Sequence, residues 1–254
     1  MSTLRELWAS GGSAVGVWLA VPSPLTAEVA ARSGADFVCA DLQHGANDPL
    51  TLAGVSQAVR LGGSRPLARV AWNDPSSIGR ALDLGAEGVI VPMVNSGAEA
   101  AAAVAAARYA PQGIRSFGPL VTGMHMPRYA ATANDVVALI PMIETAAALR
   151  NLDDILSTPG IDAIYIGPDD LGISLGLPVG SRDEHPVFAE AVQTVLDGCR
   201  RHGVVPGTHA TGGWAERRLE QGFRLLAATS ELGAMEAGLA QAMGAARRAM
   251  GGAG

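Results

Sequence analysis

The chain has 254 residues, 48% of them hydrophobic, and a formal net charge of −6 from 24 acidic and 18 basic side chains. That length suits one large domain, the apolar content excludes disorder, and the acidic balance gives no electrostatic footprint for nucleic acid. No run approaches the roughly 18 apolar residues that span a bilayer, the first residues lack a signal-type apolar stretch, and Cys39 and Cys199 form no C-x-x-C pair; a cytoplasmic protein with no membrane partner is expected.

Short β-branched runs recur eight times, each followed by Gly/Pro punctuation and a helical stretch. Strands are predicted at 14–20, 37–42, 66–70, 88–92, 136–143, 163–166, 204–208 and 225–229. Most are continuously apolar, the pattern of strands covered by helices on one side and filled on the other. Helix starts carry proline or small capping residues in SPLTAEVAA (23–31), NDPLTLAGV (47–55), NDPSSIGRAL (73–82) and NSGAEAAA (95–102). Glycines in SGAD (33–36), LGAEG (84–88), PGID (159–162), HGV (202–204) and QGF (221–223) mark helix ends before the next strand. Eight such units without a Ser/Gly-rich linker predict one (β/α)8 TIM barrel, a single α/β domain over residues 1–254. The competing open sheet would want a Gly-rich phosphate turn after the first strand, and WLAVPSP (18–24) has none. The last helix, 232–250, has no strand after it; it covers the barrel or reaches a neighbouring subunit.

Active sites of such barrels lie at the C-terminal ends of the strands. Those ends gather Asp41 and His44, then Arg69, Glu144, Asp169 and Asp170, and His209. Glu144 closes an apolar run with no other charge, where an ionised carboxylate is costly unless paired or metal-bound. Asp170 ends the neighbouring strand's run. Two carboxylates without Cys or His favour a hard cation such as Mg²⁺ or Mn²⁺; a salt bridge or a helix N-cap is the alternative. His44 is the candidate base, with Asp41 three residues before it to orient it, against a purely structural histidine. Arg69 can hold a substrate carboxylate or an enolate oxygen, or simply pair with Asp41 or Glu144. Asp83 reads as a solvated helix residue. His125 is a candidate lid or partner contact, and His209 a candidate pocket residue; His185 and His202 read as surface. No serine or Cys–His nucleophile motif and no Walker loop occurs. All 18 basic residues are arginine, so an aldolase on this scaffold has no lysine imine and requires a metal.

Taken in order, the motifs Asp41-Leu-Gln-His-Gly, Pro66-Leu-Ala-Arg, Ala81-Leu-Asp-Leu-Gly-Ala, Val91-Pro-Met-Val, Arg108-Tyr-Ala-Pro-Gln-Gly-Ile-Arg-Ser, Met142-Ile-Glu-Thr and Ile166-Gly-Pro-Asp-Asp-Leu-Gly resemble the HpcH/HpaI aldolases. These are class II pyruvate-dependent aldolases of the phosphoenolpyruvate/pyruvate superfamily. The resemblance runs over nearly the whole chain. It implies reversible cleavage of a 4-hydroxy-2-oxo acid to pyruvate or hydroxypyruvate and an aldehyde, with Mg²⁺, Mn²⁺ or Co²⁺ as cofactor. His44 matches the family's proton acceptor, Asp83 the acid that raises its basicity, and Arg69 the transition-state stabiliser. Glu144 and Asp170 match the metal ligands; backbone groups at Gly167, Pro168, Asp169 and Asp170 match those that receive the substrate carboxylate. A homohexamer with exchanged terminal helices is also implied. Gln43 stands where many members have Glu, and Met142 where many have Gln, which leaves the donor open. Other enolate chemistry, by a decarboxylase or an acyl-CoA lyase, and a non-catalytic binding protein are the alternatives; no basic cluster for coenzyme phosphates is evident.

Overall fold

Eight parallel strands close in sequence order into a barrel: β1 (Ala14–Leu19), β2 (Phe37–Asp41), β3 (Arg65–Arg69), β4 (Gly88–Val91), β5 (Ala138–Ile143), β6 (Ala163–Ile166), β7 (Val205–His209) and β8 (Leu225–Ser230). The structure is a computed structural model, and it describes residues 2–180, 184–211 and 213–251. Helix α1 (Leu4–Ala9) precedes β1, and α2 (Pro24–Arg32), α3 (Pro49–Leu61) and α4 (Pro75–Asp83) follow β1 to β3. Between β4 and β5 lie α5 (Gly97–Ala107), α6 (Thr122–His125) and α7 (Tyr129–Val136). After β5 come α8 (Ala146–Arg150) and α9 (Leu152–Leu156), and after β6 come α10 (Pro168–Ser174) and α11 (Pro186–His202). Helix α12 (Ala215–Gln221) follows β7, and α13 (Glu231–Gly251) follows β8.

The punctuation acts as the sequence predicts. Ser23, Asp48, Asp74 and Ser96 each cap a helix by accepting an amide of its first turn, and proline sits at the start of three of the four. The five glycines before strands all take positive φ, from 68° to 113°. One strand differs. Residues Val136 and Val137 are the last residue of α7 and its cap, so β5 starts at Ala138; a continuous apolar run does not reveal where a helix hands over to a strand.

Period-two alternation divides the apolar residues into two cores. One set fills the barrel and includes Trp18, Phe37, Cys39, Leu67, Ile90, Ile140, Met142, Tyr165 and Ala227. The other lies between strands and helices, with Val38, Val89, Leu139, Ile164 and Leu226 among its members. Helix α1, which sequence reading did not predict, plugs the foot of the barrel with Leu4 and Trp8. Thr3 and Glu6 form its capping box, and Arg224 ties it down through the Trp8 carbonyl at 2.6 Å.

Helix α13 packs differently from the others. Its residues are exposed almost throughout, including Leu239, Met243 and Met250. Only its root is fixed: Glu231 is buried and accepts the amides of Ala20 at 2.6 Å and Val21 at 2.5 Å. Beside that root, Val17, Leu25, Val29, Ala30 and Met235 line an apolar groove of about 470 Å³. No helix among the described residues is long and apolar enough to cross a membrane.

Candidate active site

The parity that fills the barrel also selects its polar end. In β2 the inward residues Phe37 and Cys39 are followed by Asp41; in β3 Leu67 is followed by Arg69; in β5 Ile140 and Met142 are followed by Glu144. Asp41 and Arg69 are also cross-strand partners in the register. Arg69 therefore meets Asp41 side on, with Nε donating to Oδ1 at 2.9 Å and Nη2 to Oδ2 at 2.5 Å. This two-bond pair is buried and fixes the guanidinium plane. Trp18 Nε1 donates to the same carboxylate at 3.1 Å, and the amides of Gln43 and His44 reach its Oδ1 at 3.0 and 3.2 Å. Burial pushes the Asp41 carboxyl up, but the bonds and charge of Arg69, with Trp18 and the Gln43 amide, outweigh it and hold the group below the usual carboxylate range.

Asp41 thus serves Arg69 rather than the His44 ring, which corrects the expected orienting role. It holds only the His44 backbone. The imidazole is exposed on the loop after β2, and no described residue hydrogen-bonds it. The ion pair considered as the plain alternative for Arg69 is present, yet it leaves Nη1 uncommitted to Asp41. Arg69 and His44 line one mouth cavity of about 470 Å³, together with Met142, Gly167, Pro168, Asp169 and Asp170.

Glu144 lies under the floor of that cavity, 1% exposed. Its Oε1 accepts the Met93 amide at 2.7 Å, and Met93 takes a left-handed φ of 57° to offer it. Its Oε2 is buried without a partner among the described residues and sits where any side chain at 167 would stand: a Cβ on Gly167 would come within 2.5 Å of it. Burial pushes the Glu144 carboxyl up; the Met93 amide and Arg69 oppose this, and the negative charge of Asp170 adds to it. An orphaned buried carboxylate oxygen with a second carboxylate nearby fits an oxygen-seeking cation. Among the described residues no group of three or more His, Cys, Asp or Glu converges to form a full cage, so the protein's share would be these two carboxylates.

Asp83 is not a solvated helix residue. It ends α4, which runs back from the mouth, so within one chain it lies at the foot, about 13 Å of helix from the strand ends. There Arg115 Nη2 donates to its Oδ1 at 2.7 Å, Arg115 Nη1 donates to the Tyr129 hydroxyl at 2.8 Å, and the guanidinium stacks 4.5 Å from the Tyr109 ring centre. Burial pushes the Asp83 carboxyl up, and Arg115 only partly offsets this. The Val121 amide bonds the Asp83 carbonyl at 2.8 Å, so the segment carrying α6 and His125 is also at the foot; His125 does not cover the mouth of its own chain. His202 is a surface residue paired with Asp153 at 2.9 Å. Both cysteines are buried and free; burial pushes the Cys39 thiol up and that of Cys199 to about 12, so neither is a nucleophile.

His209 does reach the cavity, as do Trp18, Thr211 and Ser230, which sequence reading passed over. Trp18 was findable as an inward aromatic near the end of β1, and Tyr165 as the one phenol in an aliphatic strand.

A profile described as HpcH/HpaI aldolase/citrate lyase matches residues 14–235. The chain is 39% identical over 250 residues to a hydroxypyruvate/pyruvate aldolase of Rhizorhabdus wittichii, covering 97% of this chain and 99% of that one. It is 35% identical over 231 residues to a 4-hydroxy-2-oxo-heptane-1,7-dioate aldolase of Klebsiella pneumoniae, covering 89% and 86%. Among solved structures, an HpcH/HpaI aldolase/citrate lyase family protein from Burkholderia cenocepacia superimposes with a TM-score of 0.89 at 30% identity, covering 96% of this chain and 98% of that one.

Proposed function

The chain belongs to the HpcH/HpaI aldolase/citrate lyase family, and from that membership and the mouth geometry we propose a carbon–carbon lyase that cleaves, and in reverse joins, a 4-hydroxy-2-oxo acid into a 2-oxo acid and an aldehyde. The carrying observation is the buried, unpartnered Oε2 of Glu144 beneath the cavity that Arg69 and His44 line. A divalent cation, Mg²⁺, Mn²⁺ or Co²⁺, held by Glu144 and Asp170 would supply Lewis acidity to the 2-oxo acid. The first turn of α10, from Gly167 and Pro168 through Asp169 and Asp170, receives the substrate carboxylate. His44 takes the proton of the 4-hydroxyl as the C3–C4 bond breaks. The electron pair passes into the enolate, whose oxygen faces the Arg69 guanidinium, held in place by Asp41. The aldehyde leaves, and protonation at C3 completes the cycle.

The experiment is exhaustive chelation followed by readdition of each cation. Cleavage of a 4-hydroxy-2-oxo acid should disappear and return with the metal, and Glu144→Gln should lower it about a thousandfold. Undiminished cleavage in the chelated protein would overturn the reading.

Asp83 acts, on this reading, on His44 of a second copy, since its own His44 is at the other end of the barrel. The bare α13 and the apolar groove beside its root support an assembly in which terminal helices are exchanged, a homohexamer of single-domain barrels working in the cytoplasm. Mixing His44→Ala with Asp83→Asn under subunit exchange should raise activity well above that of either variant alone. Fully formed hybrids that stay inactive would exclude the shared site.

A further inference from the structure

Glu144 stands beyond the end of the sheet. On one side β6 pairs with β5 through Ile143. On the other, the ladder between β4 and β5 stops where Val91 meets Pro141, short of Glu144, which follows the last residue of β5. On that side the carboxylate is held by the loop from β4 to α5, through the Met93 amide at 2.7 Å. A left-handed backbone at Met93 aims this amide, and a residue with a Cβ keeps that conformation only where its surroundings impose it.

Asn95 supplies the constraint. Its Nδ2 donates to the Met93 carbonyl at 2.8 Å, and its Oδ1 accepts the Thr145 hydroxyl. The chemistry of the partners fixes this orientation. A carbonyl can only accept, so Nδ2 faces Met93, and the hydroxyl then donates to Oδ1. Thr145 is the residue after Glu144, and its Oγ1 also accepts the Ala148 amide at 2.9 Å as the cap of α8. The main chain of Asn95 is held too, its amide by Glu99 Oε2 at 2.6 Å and its carbonyl by Asn151 Nδ2 at 2.7 Å. One side chain therefore closes a ring that runs from the Met93 turn through Thr145 and Glu144 back to the Met93 amide. A separate tie joins the same two corners without entering the ring: the Gly97 amide donates to Asp154 Oδ2 at 2.7 Å.

We propose that Asn95 is a positioning residue for the metal-binding carboxylate. Through the Met93 turn and Thr145 it keeps Glu144 Oε1 on the Met93 amide and so leaves Oε2 for the cation. This rests on the metal-dependent reading of the site and adds to it the residue that aims Glu144.

The test measures Mn²⁺ binding to the metal-stripped protein by titration calorimetry, beside urea unfolding. Asn95→Ala should weaken Mn²⁺ binding about tenfold to a hundredfold. Thr145→Val should weaken it similarly, whereas Thr145→Ser, which keeps the hydroxyl, should bind as the wild type does. The double variant Asn95→Ala/Thr145→Val should lose little beyond either single one, because both break the same ring. Asp154→Ala should lose stability while its Mn²⁺ affinity stays at the wild-type value. Cleavage by Asn95→Ala should climb back toward the wild-type rate as Mn²⁺ is raised, a recovery that general loosening of the fold would not give. If the Asn95 variants do not fold, the contrast between Thr145→Val and Thr145→Ser decides. Unchanged Mn²⁺ affinity in Asn95→Ala, or an equal loss in Asp154→Ala, overturns the inference while the aldolase reading stands. A wild-type protein that binds no Mn²⁺, or cleaves without it, sinks that reading, and the inference with it.

Discussion

Two aspartate–arginine pairs mark the two ends of the barrel, and they are built to different purposes. At the mouth, Asp41 receives two bonds from Arg69, one from Trp18 and two from backbone amides. At the foot, Asp83 receives one side-chain bond from Arg115 and remains partly open, its side chain 17% exposed. The first carboxyl is held below its ordinary pKa and the second is raised above it. Both lose hydration; the number of donors decides the sign. The mouth pair is a mount that presents a rigid guanidinium, while the foot pair leaves a carboxylate with affinity left over for another partner.

The largest expected effect separates these roles. Asp41→Asn leaves Arg69 buried beside a poor acceptor and should cost about 3–5 kcal/mol in denaturant unfolding, along with most activity. Asp83→Asn should cost only about 1 kcal/mol of that stability, yet lower activity on the order of a hundredfold if its carboxylate supports a neighbouring His44. Equal stability losses would erase the distinction between mount and partner.

A smaller effect lies in acid titration. Asp41, depressed in the fold, contributes stability that is complete above its unfolded value near 3.8 and is lost as pH falls through the lower folded value. Asp83, raised in the fold, does the reverse: the folded chain holds its proton more tightly, so the contribution grows as pH falls through the raised value and is complete below 3.8. Measured from pH 7 downward, the stability gap between wild type and Asp41→Asn should narrow below about pH 4, while that for Asp83→Asn should move in favour of the wild type as pH falls, a change that sets in above the unfolded value of 3.8. Parallel curves would contradict the assigned signs.

The barrel was legible because each strand is a short apolar run followed by a capped helix. Glu144 was legible as the lone charge at the end of such a run. Helix α1 was not, although Thr3-x-x-Glu6 spells its cap, because six residues show too little periodicity to declare a buried face. The bond from Asp41 to Arg69 depends on register, and the contact of Tyr165 with His209 depends on knowing which parity faces the axis; neither is written in local spacing. Asp83 shows the limit most clearly. Its motif pointed to the site, but its place at the end of a returning helix puts it at the far end of its own barrel.

The Met93 amide that holds Glu144 carries a separate lesson about which substitutions can reach the site. No atom of the Met93 side chain takes part in that bond; what matters is the left-handed turn of the backbone. Glycine or asparagine at 93 keeps the turn accessible and should leave the carboxylate aimed as it is, whereas valine or isoleucine disfavours it and should let the carboxylate swing. The position is therefore permissive in chemistry and strict in shape, so a comparison of side-chain types alone would misjudge which replacements it tolerates.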